Sequence, residues 1–374
     1  MVVLCRKRTS FLITSILLGL ITLPNMGFVL MTSSVKAQVS GNTSPSNTPD
    51  IKPSELTPSY PASAPPPQVK PLPDERTVEE RSIETDYRVS NLLKDFKGNL
   101  WVGSWRGLSR IDPKTGKILA RVNLPNIAIG ALAQDKVGRL WVGTYEGLMR
   151  VDPRTNEITA QNLFLPSKRV LSMLIDKRGY LWVGTDSGLA LISPDQGLIM
   201  TTVKNLPGVS ANTLTLDAEG QLWVGTLDGL VRVNTANAYI MKRIDGLPGT
   251  TVQTLAISPE GLIWAGMANN LLVIDPKTDK VLRSVTALRG RNVTAVNFAQ
   301  DGSVWVGTNN GLLRLNPHTG ALLDQVAGLP SSRVLALVPD IGNKLWIGTS
   351  EGLAWLMPKM NGAKPHLAFS RAVK

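Results

Sequence analysis

The stretch Asp135-Lys136-Val137-Gly138-Arg139-Leu140-Trp141-Val142-Gly143-Thr144, followed after two residues by Gly147-Leu148-Met149-Arg150-Val151-Asp152-Pro153, recurs with small changes seven times along the 374-residue chain. Its tryptophans are Trp101, Trp141, Trp182, Trp223, Trp264, Trp305 and Trp346, spaced by 40 residues once and by 41 thereafter. A period this constant means one supersecondary unit copied in tandem, and it has to be read before any single residue is interpreted.

Within the third copy, Val170 to Ile175 is an apolar run that ends at Asp176. Asp176-Lys177-Arg178-Gly179 is a turn signal, because Asp bonds its own downstream backbone and Gly tolerates positive φ. Tyr180 to Thr185 makes a second strand and Gly188 to Ile192 a third, and the turn Ser193-Pro194-Asp195-Gln196-Gly197 leads to a fourth at Leu198 to Val203. Short strands between Gly, Pro, Asp and Asn clusters, with no helical period, predict an all-β chain of consecutive hairpins. Four strands per repeat is the blade arithmetic of a propeller. The expected fold is a seven-bladed β-propeller, four antiparallel strands per blade, over residues 77–374. A solenoid would need distinct polar caps, and none is written here. Two segments compete to complete the seventh blade: His366 to Val373, after a long turn from Pro358 to Pro365, and Val78 to Ile83, which falls in register ahead of the first repeat. The C-terminal one is expected to close it.

Ahead of the repeats, Arg6, Lys7 and Arg8 precede an apolar run from Phe11 to Leu23, and Val35-Lys36-Ala37 offers a small-residue cleavage site before Gln38. This is the pattern of a secretory signal peptide over residues 1–37. Its rival is an uncleaved N-terminal membrane anchor over residues 11–31, because apolar residues continue to Met31 and approach the roughly 20 needed to span a bilayer. Residues 38–76 read as a disordered Pro/Ser-rich linker: ten prolines lie between Ser40 and Pro73 among Ser, Thr and Asn, a composition that favours extended, semi-rigid spacers. The expected location is periplasmic or secreted, or outside the cytoplasm on a membrane anchor.

The formal charge is +12, and residues 1–37 carry four of the 40 cations and no acid, so the remainder keeps +8. A basic exported ring points to anionic partners such as acidic glycans or wall polymers, and no nucleic-acid recognition motif is present. Cys5 is the only cysteine and lies in the leader, which excludes a disulfide framework or thiolate metal site in the ring. No run has the Asp spacing of a calcium loop, so neither cofactor nor metal is expected.

The copies quoted above resemble the two-component regulator propeller repeat, whose pattern is D-x-x-G-x-L-W-[VI]-G-T-x-x-G-L-x-R-x-D-P, from about residue 88 to 357. That resemblance implies a seven-bladed propeller of the kind found in the periplasmic sensor portions of hybrid sensor kinases, where it recognises glycans or other extracellular ligands. No kinase or response-regulator portion is written here, so phosphorelay chemistry does not carry over, except through a partnership with a separate sensor kinase. Departures are Ala265, Met267 and Asn270 in the fifth copy, Thr235 in the fourth and Asn343 in the seventh.

A Trp at one strand position of every blade is a packing element. Arg110, Arg150, Arg232 and Arg314, nine residues after their tryptophans, read as stems laid over a blade face with local partners. Function belongs where the repeats differ, on loops carried by the ring. The loop between the second and third strands emerges on the same face as the approach to the first strand. It places Trp105-Arg106 and Tyr145-Glu146 on adjacent blades, aromatic faces beside charges, as a sugar platform needs. The approach to strand one adds Arg88, Arg169, Asn292 and Arg333, with Lys168, Arg289 and Arg291 nearby, and guanidinium groups suit carboxylate or phosphate recognition. These eight, Arg88, Trp105, Arg106, Tyr145, Glu146, Arg169, Asn292 and Arg333, are the candidate ligand-binding residues. No catalytic residue is assigned. His318 and His366 are the only histidines, and the likeness to seven-bladed propeller lyases such as streptogramin lyases finds no histidine on the favoured face; Glu146 would have to serve as base. The expected function is non-enzymatic binding of a carbohydrate or anionic envelope polymer, with a protein-interaction scaffold at the envelope as the alternative.

Overall fold

The computed structural model describes residues 86–370, apart from 106, 123, 125, 126, 163 and 359. The leader and linker segments, Val78 to Ile83 and Arg106 lie outside the described residues. Seven four-stranded antiparallel sheets follow one another, each with its strands in sequence order. The first consists of Val89–Lys94, Leu100–Ser104, Gly107–Ile111 and Ile118–Val122. The third consists of Val170–Ile175, Leu181–Thr185, Gly188–Ser193 and Leu198–Val203. This is a seven-bladed β-propeller with hardly any helix.

The second strand is buried along its whole length in every blade, which is why it reads as a continuous Leu-Trp-Val-Gly-Thr run rather than an alternating one. Its glycine sets the spacing between blades. A Cβ on Gly143 would stand 2.3 Å from Val170 Cγ1 of blade three, and one on Gly348 of blade seven 2.6 Å from the Val89 carbonyl of blade one. The seventh and first blades therefore meet at the same position as other pairs, and the ring closes. Along the inner wall, the first strand bulges at Ile129, Val252 and Val334, and a bulge leaves a ladder group unpaired. The preceding blade supplies the donor: Ser90 Oγ and Asn91 Nδ2 to Ile129 O, Asn212 Nδ2 to Val252 O, and Thr294 Oγ1 to Val334 O.

Blade seven is completed from the C-terminal side, but not by the expected residues. Its fourth strand is Lys364–Pro365, paired with Trp355 and Ala354, rather than His366 to Val373. Pro365 has no N–H with which to extend a ladder. After His366 donates its N–H to Leu353 O (2.7 Å), the chain turns through Leu367–Phe369. That turn carries Phe369 into a core shared with Val89, Val102 and Ile111 of blade one and Trp346 of blade seven. His366 Nε2 meets Gly116 O at 2.8 Å, and Lys344 Nζ donates to Pro113 O and Lys114 O at 2.9 and 2.7 Å. Burial lowers the Lys344 pKa, against the opposing attraction of Asp112. Among the described residues, these contacts and the Phe369 core hold the seventh blade to the first.

Candidate functional site

Two faces follow from the topology. The Asp-x-x-Gly turns and the turns between third and fourth strands make the lower face; the loops between second and third strands make the upper one.

On the lower face the repeated residues of blades one to four are held by one another. Asp176 accepts the N–H groups of Arg178, Gly179 and Tyr180 with one oxygen and Trp182 Nε1 (3.2 Å) with the other. Asp95, Asp135 and Asp217 accept Trp101, Trp141 and Trp223 in the same way, at 3.1, 3.0 and 2.9 Å. The strand-three arginines stand opposite their tryptophans in register. Arg110, Arg150, Arg232 and Arg314 lie 5.5–5.8 Å from the indole centroids, within cation–π range. Arg110 then donates to Pro153 O of the next blade (2.6 Å) and Arg150 to Pro194 O (3.4 Å), while Arg232 pairs with Asp217 and Glu219 and Arg314 with Asp301. These arginines are inter-blade and turn staples. Asp112, Asp152 and Asp275 open the next turns, where hydrogen bonds from neighbouring residues hold their carboxyls below the usual range, Asp152 at about 2 beside Arg154.

The upper loops are rigid for a different reason. The hydroxyl three residues after Trp donates to the carbonyl three residues further on: Thr144 to Gly147, Thr185 to Gly188, Thr226 to Gly229, Thr308 to Gly311 and Thr349 to Gly352, all at 2.9 Å. It also accepts the N–H of the variable residue two places on, as Thr144 does from Glu146 (3.1 Å). Backbone shape is thus fixed by a repeated hydroxyl while side chains change from blade to blade.

Trp105 and Tyr145 are 38% and 41% exposed. Arg169 of blade three stands over the Tyr145 ring of blade two with its Cζ 4.5 Å from the centroid, and Glu146 is exposed beside it. The structure therefore brings Tyr145, Glu146 and Arg169 into one cluster. Arg333 is exposed, its carbonyl accepting Ser350 N–H (3.0 Å), and Asn292 holds Asn309 N–H (3.3 Å) and has a buried Oδ1 without a partner. Among the described residues, Arg88 pairs with its neighbour Asp86, at 3.9 Å. Among the described residues, no carboxylate pairs with Arg169, Arg289, Arg291 or Arg333.

Cavities of about 520 and 420 Å³ lie on the lower face, between blades one and two and between blades six and seven, and none of the eight candidate residues lines them. Sequence reasoning did not find them. A signal existed for the second: Ala299 stands where blades one to four have Asp. The two histidines are engaged below, His318 at 3.2 Å from Glu260 and His366 against Phe369 and Trp346. Among the described residues, no group of three or more His, Cys, Asp or Glu could hold a metal ion, and no helix is long and apolar enough to cross a membrane.

The fold and its repeated turn chemistry define a seven-bladed propeller, and segments of it are similar to the two component regulator propeller repeat. The model of that repeat matches residues 123–146 and 165–187, and a domain of unknown function, DUF5074, matches residues 219–327. No curated protein matches the chain. Among solved structures, the extracellular domains of two hybrid two component systems of B. thetaiotaomicron, BT4673 and BT3049, share the fold with TM-scores of 0.63 and 0.61 at 20% and 19% identity. Each match covers 72% of this chain, and 38% and 40% of the respective extracellular domain. Virginiamycin B lyase from Staphylococcus aureus superposes with a TM-score of 0.54 at 16% identity, over 66% of this chain and 85% of the lyase. At these identities the likeness is one of fold.

Proposed function

We propose that this protein is an exported, periplasmic or secreted, ligand-binding propeller that takes a carbohydrate or anionic envelope polymer on its upper face, without catalysis. One observation carries the reading: the upper loops present Arg169 and Arg333 with no carboxylate partner among the described residues, whereas the repeated arginines below are all engaged. A guanidinium left unpaired beside an exposed aromatic ring is suited to a carboxylate-bearing sugar, the ring taking its C–H face and the fork its anion. Arg88, Trp105, Arg106, Glu146 and Asn292 complete the proposed surface. Its test is a thermal-shift screen against neutral and acidic glycans. The melting temperature should rise with an acidic glycan, and the rise should vanish in Trp105→Ala and in Arg333→Ala. A full panel without a shift overturns the reading.

A second reading, a protein-interaction scaffold at the envelope, draws on the outer strands, where Leu198, Met200, Leu282 and Leu323 are exposed. Retention of a defined envelope protein, lost on Leu198→Lys with Met200→Lys, supports it, and retention of none contradicts it. A separate sensor kinase is one such partner. A lyase built on His318 or His366 would have to recruit side chains already held at lower-face seams. Turnover of an acidic polysaccharide that persists in both His318→Ala and His366→Ala would exclude it.

A further inference from the structure

Six of the seven repeat tryptophans are 2% exposed or less; Trp305 is 9% exposed. In blades one to four the indole N–H is held by the Asp six residues earlier, and in blade seven Trp346 Nε1 is taken by Ile341 O at 3.2 Å. Blade six has Ala299 at that position. Among the described residues no acceptor holds the Trp305 N–H, and both Ala299 and Trp305 line the cavity of about 420 Å³ between blades six and seven. Ala299 and the nine-tenths-buried Trp305 therefore stand together at the wall of this cavity.

The rest of the lining limits what could fill it. Asp324 and Asp340 offer carboxylate oxygens, Leu356, Met357 and Met360 offer apolar surface, and the two cations each have a partner, Arg314 through Nη2 on Asp301 (2.6 Å), with its buried Nε unpartnered, and Lys344 on the Pro113 and Lys114 carbonyls. An anionic ligand would meet three carboxylates against two cations that are already partnered. An ammonium ion would leave the indole N–H without an acceptor. A hydroxyl both donates and accepts, and a pyranose carries several around an apolar C–H face. The volume lies within the range of ligand pockets, about 300–1,000 Å³.

We infer that the cavity between blades six and seven is a binding site for a neutral saccharide unit, with a hydroxyl oxygen accepting the Trp305 indole N–H and neighbouring hydroxyls donating to Asp324 and Asp340. It is separate from the upper-face reading and requires none of its residues. In the 374-residue chain labelled with ¹⁵N at the tryptophan indoles, the Trp305 cross-peak, assigned through Trp305→Phe, is followed during titration with glucose, N-acetylglucosamine, cellobiose, glucuronate and ethanolamine. The peak should move saturably with at least one neutral sugar and with neither charged probe. Ala299→Asp, which restores the carboxylate of blades one to four, should weaken that response by about tenfold or more without lowering the melting temperature. Should that variant fail to fold, Asp324→Ala should show the same loss. No movement with any neutral sugar, movement with glucuronate or ethanolamine alone, or an unchanged response in the folded variants overturns the assignment.

Discussion

The arginines of the two faces are the same residue type put to opposite uses. Below, Arg139 is fixed by Asp135 and Asp195, Arg178 by Asp176, Arg232 by Asp217 and Arg314 by Asp301, and Arg110 and Arg283 close on carbonyls of the following blade. Above, Arg169 rests on a tyrosine ring and Arg333 contributes only its backbone. A repeated arginine that is held by a carboxylate or a carbonyl of the blades is part of the scaffold. One that occurs in a few blades, on a loop held by its neighbours' hydroxyls, has donors left for something outside the chain.

Breaking the lower layer should have the largest consequences. Trp182→Ala removes a fully buried indole and should cost about 3–5 kcal/mol in denaturant unfolding. Asp176→Ala strands the Trp182 N–H together with turn amides and should cost about 1–3 kcal/mol. Blade five provides the converse, because Ser258 replaces the Asp and Trp264 Nε1 is buried without a partner. Ser258→Asp should raise stability by about 1 kcal/mol; a loss would show that the blade has repacked around its own residue. Arg169→Ala and Arg333→Ala should each change stability by less than about 0.5 kcal/mol, and a larger loss would move them from the ligand-binding set to the scaffold.

The smallest effect concerns pH. Asp112, Asp152 and Asp275 have folded pKa values below their ordinary ones, so their contribution is complete above the unfolded pKa of about 3.9. It is lost as pH falls through the folded values, about 2 for Asp152. Carboxyl-detected NMR titration should find Asp152 still ionised at pH 3, and a midpoint near 4 would show that Arg154 does not hold it.

The blade count was legible because every copy repeats the same four-strand pattern, and the variable pair after each Trp marked the upper loops. What could not be read is what the main chain accepts. Arg110 could be assigned to the scaffold, but not to the Pro153 carbonyl, since every residue carries a carbonyl and none announces its use. The closing strand was misplaced because His366 to Val373 looks apolar enough for a ladder, while the inward turn through Leu367–Phe369 ends the pairing after His366. The cavity at Trp305 was missed because its signal is a removal, Ala299 among aspartates, and a missing group shows only once its neighbours are in place.

The proposed site of ligand recognition is the upper-face guanidiniums of Arg169 and Arg333, which have no carboxylate partner among the described residues. Calorimetric titration with an oligogalacturonate tests it on the intact chain, on Arg169→Ala with Arg333→Ala, and on Arg150→Ala with Arg283→Ala. Binding should weaken by about tenfold or more in the upper pair, and it should be retained in the lower pair at temperatures where all three are folded. Equal binding in all three, or loss confined to the lower pair, would contradict it.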